Sequence, residues 1–151
     1  MDSSPDAPAA RVTRLRRHFE IVEPKVILIG EASGYQGCRF SGVPFTSERL
    51  VCEGAIPRIA ATTRFTTRRL PWSEPSATIV WKTLFALDIA EDTLMWNALP
   101  LHPMKTGKPL SNRSPTGDEL AAGLPCLQIL RDHYPKSPMV AIGLNASKSL
   151  T

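Results

Sequence analysis

The 151-residue chain has few cysteines and no CxxC pair. Its three cysteines, Cys38, Cys52 and Cys126, lie far apart and are not accompanied by histidines at zinc-binding spacing. An odd number excludes a fully paired disulfide framework and is typical of a reducing compartment. Three thiolates are also one fewer than an iron–sulfur cluster usually needs. We therefore expect buried, apolar cysteine side chains, no bound metal and no cofactor.

Long hydrophobic runs and a secretory leader are also lacking. No stretch reaches the roughly 18 consecutive apolar residues that a membrane helix needs, and the start, MDSSPDAPAA, lacks the charged-then-apolar order of a signal peptide. With 42% hydrophobic and 21% charged residues, the composition is that of an ordinary globular domain. We expect a cytoplasmic monomer with one domain over residues 11–151, preceded by a disordered tail over residues 1–10.

Short apolar runs bounded by proline or glycine predict three buried parallel strands, at residues 25–29, 93–96 and 138–142. Helical spacing and capping signals predict four helices, at residues 11–19, at 75–89, from a T-x-x-E capping box at 116 onward, and from 146 to 151 after Asn145 as the cap. Pro125 should kink or split the third of these. The alternation of strands and helices predicts an α/β sandwich around a parallel sheet.

Three residues near the predicted strand ends could carry chemistry, because sites in such folds lie at the carboxyl ends of the strands. Glu31 follows the first strand between glycines that let a ligand approach, and is either a general base or an exposed turn acid. Asn97 ends the second strand and either reads a nucleobase edge or caps a turn. Phe45 is either a stacking platform for a base or a core plug.

Two long loops contain basic residues and no acid. The segment 54–73 contains four arginines, and the segment 93–117 contains a histidine, two lysines and an arginine. Both loops are predicted at the same end of the sheet, which favours a face that meets phosphates. A solvated surface is the alternative, since the net charge is only +4. The predicted DNA contacts are Arg64, Arg68, Arg69, Lys105, Lys108 and Arg113.

Three segments in order resemble the uracil-DNA glycosylase superfamily, and best its bacterial branch with a G-E-A-x-G first motif. They are Gly30-Glu-Ala-Ser-Gly34, Ser41-Gly-Val-Pro-Phe45-Thr46, and Trp96-Asn-Ala-Leu-Pro100 with His102-Pro103. The resemblance implies a three-layer α/β/α sandwich with a short central parallel sheet. It also implies an enzyme that flips uracil, or a related deaminated base, out of DNA and hydrolyses its N-glycosidic bond.

The resemblance implies a role for each matching residue. Glu31 would position the attacking water and stabilise the positively charged sugar. Phe45 would stack on the flipped base, and Asn97 would hydrogen-bond the uracil edge. Gly30 and Gly34 would border the substrate, and Gly34 stands where some relatives carry a tyrosine that excludes the thymine methyl. No metal or cofactor is implied.

The sequence departs from the superfamily pattern in two further places. Ser33 stands where proline is usual, and a His-Pro-Ser-like second motif would lie beyond residue 143, although the sequence ends at Thr151. We therefore expect a domain that is incomplete at its C-terminus. One alternative is a catalytically impaired or truncated member that only binds DNA. A small nucleotide-binding module is another, disfavoured because G-x-G-x-x-G and G-x-x-x-x-G-K are both missing.

Overall fold

The computed structural model describes residues 7–151 and contains one sheet of three parallel strands in the order β2-β1-β3. The strands are β1 (Val26–Ala32), β2 (Thr93–Leu99) and β3 (Met139–Ala141). Gly30 of β1 is the register partner of Asn97 of β2, so the ends of the two strands lie side by side. This pairing sets up the candidate site described below.

Six helices surround the sheet among residues 7–151. They are α1 (Ala7–His18), α2 (Cys38–Ser41), α3 (Glu48–Cys52), α4 (Pro75–Ala86), α5 (Gly117–His133) and α6 (Leu144–Leu150). Pro75 occupies the first turn of α4, where its missing N–H costs nothing. The predicted capping box is present at α5, where Thr116 Oγ1 accepts from the backbone N–H of Glu119 and the Glu119 side chain accepts from the backbone N–H of Thr116.

Both faces of β1 and β2 are buried, which confirms the predicted three-layer α/β/α architecture. The prediction that the third strand is buried is wrong, because β3 has only three residues at one edge of the sheet and its Val140 is 46% exposed. On one face, Leu28 and Met95 pack against Trp81 and Leu84 of α4. On the other face, the alternate strand residues pack against α5 and α6. Because side chains alternate along a strand, a continuous apolar run serves both cores at once. The members of the second core include Ile27, Ile29, Leu94, Ala98, Leu127, Leu130 and Ala146.

Several element boundaries differ from those predicted. β1 and β2 continue three residues further than the apolar runs, so Glu31 and Asn97 lie in strands and not in loops. Their backbone pairing continues to Ala32 and Leu99, which apolarity alone does not reveal. The segment 33–73, which follows β1, is not one uninterrupted loop, because it contains the two short helices α2 and α3.

The helices at the two ends of the chain also differ from prediction. Residues 7–10 belong to α1, whereas residues 1–6 of the predicted tail lie outside the described part of the chain. The α5 helix continues through Pro125 as one element, since Gly123, Leu127 and Leu130 bury one side of both halves. Gly143, not Asn145, is the N-cap of α6.

Within residues 7–151, no helix is long and apolar enough to cross a bilayer. The same part of the chain contains no group of three or more His, Cys, Asp or Glu side chains placed to hold a metal ion. Its three cysteines are free thiols and only half-buried, so the expected full burial is not observed.

Candidate functional site

A cavity of about 290 Å³ opens at the carboxyl ends of β1 and β2. It brings together four of the five residues predicted to act on a substrate, and Gly30 lies directly beneath two of them. The lining residues are Glu31, Ala32, Gly34, Cys38, Phe45, Glu74, Ser76, Asn97 and Ile142.

Phe45 and Asn97 meet over Gly30. A Cβ atom on Gly30 would lie 2.6 Å from both Phe45 Cζ and Asn97 Oδ1, so only glycine leaves room for the two side chains. The ring and the amide therefore form adjoining parts of one wall of the cavity. This arrangement offers an apolar face for stacking beside a group that can both donate and accept hydrogen bonds.

The backbone holds Phe45 in a conformation that its side chain disfavours. Its φ of 50° lies in the left-handed region, which is uncommon for a bulky residue. Trp81 Nε1 donates a 2.8 Å hydrogen bond to the carbonyl oxygen of Phe45, which fixes this turn from below. Phe45 packs against the first core but is not fully buried. Strained backbone of this kind concentrates at functional sites, where the surrounding structure maintains it.

Asn97 is buried, with 4% of its surface exposed, yet its amide makes little use of the protein as a partner. Its Nδ2 donates one long hydrogen bond of 3.5 Å to Ser33 Oγ. Ser33 in turn donates to the carbonyl oxygen of Pro100 and contacts Cys38 Sγ. The Asn97 amide is therefore held in place with hydrogen-bonding capacity left for a ligand.

Glu31 reaches the cavity from the end of β1 and is anchored to α6. Its Oε1 accepts a 3.0 Å hydrogen bond from the backbone N–H of Asn145, and Asn145 Nδ2 donates to Oε2 at 3.5 Å. Gly143 is required beside it, since a Cβ there would lie 2.7 Å from Glu31 Oε1. The carboxylate is therefore fixed by the first turn of α6, and Asn145 serves this contact instead of the predicted cap.

Glu74 is a second cavity carboxyl that the sequence reasoning missed. It is the N-cap residue of α4, and its side chain makes no capping hydrogen bond. Ser76 Oγ donates to Glu74 Oε1 at 2.7 Å, while Oε2 is buried and has no partner among residues 7–151. Burial raises the pKa of Glu74 above its usual value, and the hydrogen bond from Ser76 opposes that shift. No motif around Glu74 points to the cavity.

Gly37 explains how Glu74 is accommodated, because a Cβ on Gly37 would lie 1.6 Å from Glu74 Oε2. By contrast, a Cβ on Gly34 would meet Asn112 and Glu74 only at 3.7 and 3.8 Å, which is ordinary van der Waals contact. Gly34 therefore leaves the cavity open without being needed for packing.

Cys38 also lines the cavity but is not poised as a nucleophile. Burial raises the pKa of its thiol to about 11, although the hydrogen bond from Ser33 Oγ lowers it in part. A neutral thiol is a weak nucleophile and a poor metal ligand. Besides Cys38, the polar side chains that line the cavity are Glu31, Glu74, Ser76 and Asn97.

Two of the six predicted DNA contacts are engaged within the protein. Arg64 Nε donates to Glu48 at 2.9 Å, and its Nη2 donates to the carbonyl oxygen of Arg68. Both terminal nitrogens of Arg113 bind Glu119, at 2.7 and 2.6 Å. Each of these two arginines therefore stabilises the conformation of its own loop.

Glu48 organises the loop that carries the arginines. This buried carboxylate accepts hydrogen bonds from the backbone N–H groups of Phe65, Thr66 and Trp72, and from the side chains of Thr66 and Arg64. Burial alone would raise its pKa, but these donors together lower it, so the carboxylate stays ionised.

The other four predicted DNA contacts are exposed and form no ion pair among residues 7–151. They are Arg68, Arg69, Lys105 and Lys108. The Arg68 guanidinium lies 3.7 Å from the centre of the Trp72 ring, and Trp72 packs edge-on against Tyr35.

The second basic loop reaches the same neighbourhood. Asn112 Oδ1 accepts from the backbone N–H of Tyr35, and Arg39 donates to the carbonyl oxygen of Pro109. Both basic loops therefore border the segment 34–40, which forms one side of the cavity entrance.

Comparison with known families gives one match that covers most of the chain. The family model described as the uracil DNA glycosylase superfamily matches residues 16–151. That range includes every residue of the cavity. A comparison with curated proteins gives no significant match.

Proposed function

Because this chain belongs to the uracil-DNA glycosylase superfamily, we propose that it excises uracil, or a related deaminated base, from DNA by hydrolysing the N-glycosidic bond. Membership of the superfamily supports a DNA glycosylase-type function, with DNA as the partner. The observation that carries the finer proposal is the meeting of Phe45 and Asn97 over Gly30 in one cavity.

Base recognition follows from the chemistry of that pair. A base inside a duplex must be flipped out before an enzyme can reach its glycosidic bond, so the site needs a stacking surface and a reader for the base edge. The Phe45 ring supplies the first. The Asn97 amide supplies the second, since it can donate to a uracil carbonyl oxygen and accept from the neighbouring ring N–H.

Glu31 is suited to the hydrolytic step. When the bond from the sugar to the base breaks, positive charge develops on the sugar and the base leaves with the electron pair. Water then adds to the sugar carbon and releases a proton to solvent, and the base anion takes up a proton to leave as the free base. The Glu31 carboxylate, held on the cavity wall by Asn145, would stabilise the sugar charge and orient that water.

Exposed basic side chains support DNA as the substrate. Arg68, Arg69, Lys105 and Lys108 carry charge on the two loops that border the cavity entrance. Phosphate contacts from such residues would supply affinity that does not depend on sequence and orient the duplex over the cavity.

A second candidate function is DNA binding without base excision. The observation in its favour is that both Glu31 oxygens have a partner in Asn145, as a purely structural carboxylate would. The two candidates differ in one measurable outcome, which is release of free base.

The deciding experiment measures uracil release from single- and double-stranded oligonucleotides, with Glu31→Gln as the test variant. We expect Glu31→Gln to lower release by at least about tenfold and to leave DNA affinity nearly unchanged, because the amide keeps an acceptor for Asn145 but lacks the charge. Glu23→Gln, at the amino end of β1, is the matched control. Equal loss of release and binding would refute the role of Glu31, and binding without release by the wild type would favour the second candidate.

A further inference from the structure

Glu74 is a cavity carboxyl without a structural task that would explain its position. Glu74 is the N-cap residue of α4, but its side chain accepts no capping hydrogen bond from a backbone N–H of the first turn. Instead its side chain lies over Gly37 and lines the cavity beside Glu31. Among residues 7–151, its one side-chain partner is Ser76 in the first turn of α4, at Oε1.

The environment of Glu74 favours its neutral form. A buried carboxylate oxygen is costly unless hydrogen-bond donors surround it, as five donors surround Glu48. Glu74 Oε2 has none among residues 7–151. Consistent with this, burial raises the pKa of Glu74. A neutral carboxyl has a proton to donate, unlike an ionised one.

The charged and titratable groups around Glu74 do not reverse this preference. Glu31 and Cys38 line the same cavity, and neither supplies positive charge. Arg49 is the cation of the adjoining helix α3, and its guanidinium forms an ion pair with Glu53. It also donates hydrogen bonds to Ser73 and Thr78. The carboxyl therefore faces a cavity that offers it no cation.

We propose that Glu74 is a second substrate-contacting residue of this site, which donates a hydrogen bond from its protonated carboxyl to a carbonyl oxygen of the bound base. This inference rests on the proposed function. The leaving base gains negative charge as its bond to the sugar breaks, so a donor aimed at its carbonyl oxygen binds the transition state more tightly than the ground state. The hydroxyl that donates would be Oε1, which lies on the side of the cavity residue Gly34, whereas the unpartnered Oε2 is enclosed against Gly37 as the carbonyl oxygen.

The test compares two substitutions at Glu74 that differ in one property. Glu74→Gln keeps the size and a neutral N–H donor, whereas Glu74→Ala removes the donor. We expect Glu74→Ala to lower the rate of uracil release about tenfold to a hundredfold and Glu74→Gln to stay within about threefold of the wild type. The wild-type rate should fall as pH rises through the pKa of Glu74, and this decline should be absent in Glu74→Gln.

A purely structural role would leave the pH profile of release the same in wild type and Glu74→Gln, and that result would overturn the proposal. Strong loss in Glu74→Gln would overturn it as well, because it would mean that the ionised carboxylate is needed. Glu23→Gln makes the same chemical substitution at an exposed position at the opposite end of the sheet and should leave the rate and pH profile of release unchanged.

Binding separates failure of this inference from failure of the proposed function. The probe is an oligonucleotide with 2′-fluoro-deoxyuridine, which resists hydrolysis, compared with the same strand carrying thymidine. We expect Glu74→Ala to lose most of the preference for the uracil strand. If the wild type neither releases uracil nor prefers that strand, the proposed function fails and this inference fails with it. If the wild type does both and Glu74→Ala matches it, only the role of Glu74 is refuted.

Discussion

Replacing Gly30 with alanine tests whether the contact between Phe45 and Asn97 is the core of the site. The added Cβ would lie 2.6 Å from Phe45 Cζ and from Asn97 Oδ1. Each contact would have to lengthen by about 0.8 Å to reach the 3.4 Å at which ordinary van der Waals contact begins. Neither side chain is the free end of a flexible chain, because Asn97 is buried and the Phe45 carbonyl is bound to Trp81.

The expected cost follows from that displacement. Misplacing catalytic or binding groups by about 1 Å can cost roughly a hundredfold in rate. We therefore expect Gly30→Ala to reduce uracil release about tenfold to a hundredfold under single-turnover conditions, with weaker preference for a uracil-containing strand. Affinity for undamaged DNA should change little, since the basic loops lie outside this contact.

Gly117→Ala is the matched control for this substitution. It makes the same chemical change at the start of α5, where no atom lies within 4 Å of the new Cβ. Both variants should be checked for a cooperative thermal transition, so that unfolding is not mistaken for a change at the site. Wild-type release by a folded Gly30→Ala would refute the reasoning, because the pair would then not need its observed geometry.

Two further predictions concern stability and DNA binding. Burial of His18 and the nearby charge of Arg58 lower the pKa of this histidine from 6.5 to about 3. Between pH 3 and pH 6.5, His18 is therefore protonated in the unfolded chain and neutral in the folded chain. As the pH is lowered below 6.5, the free energy of unfolding of the wild type should therefore decrease by about 1.4 kcal/mol more per pH unit than that of His18→Gln. Denaturant titration measures this difference, and equal slopes in the two proteins would contradict the prediction. Neutralising Arg68 and Arg69 together should weaken DNA binding and reduce the slope of log affinity against log salt concentration by about one for each arginine that contacts a phosphate. Lys136→Gln, at the other end of the sheet, should leave that slope unchanged. An unchanged slope in the double variant would mean that neither arginine contacts a phosphate.

The sequence predicts β1 and β2 well, because strands that are buried on both faces contain continuous apolar runs. Each strand begins within an apolar run that contains branched residues, and both cores draw on alternate residues of those runs. The strand ends are recorded less clearly. Gly30 and Glu31 are unusual strand residues, and their pairing with β2 depends on tertiary contacts that a local pattern does not contain. The same applies to α5, where packing against β2 holds one helix together across Pro125.

In the candidate site too, some residues could be predicted from local sequence patterns, whereas others depend on tertiary contacts. Glu31 and Asn97 could be placed together because each lies at the end of a predicted parallel strand, and Phe45 because of its resemblance to a known motif. Glu74 could not, since its position depends on a loop that folds back over Gly37. The contact between Arg64 and Glu48 could not be foreseen either, because the two residues are sixteen positions apart and the loop between them follows no regular pattern.

The two cavity carboxyls have contrasting surroundings, and this contrast ties the proposals together. Glu31 has hydrogen-bond donors from Asn145, and Glu74 has a buried oxygen with none. Hydrolysis of a glycosidic bond creates positive charge on the sugar and negative charge on the base, so it needs a negative group on one side and a donor on the other. Two carboxyls in different environments can meet both needs. We expect Glu31 to act on the sugar and Glu74 on the base, and substitution by glutamine should therefore impair the first and spare the second.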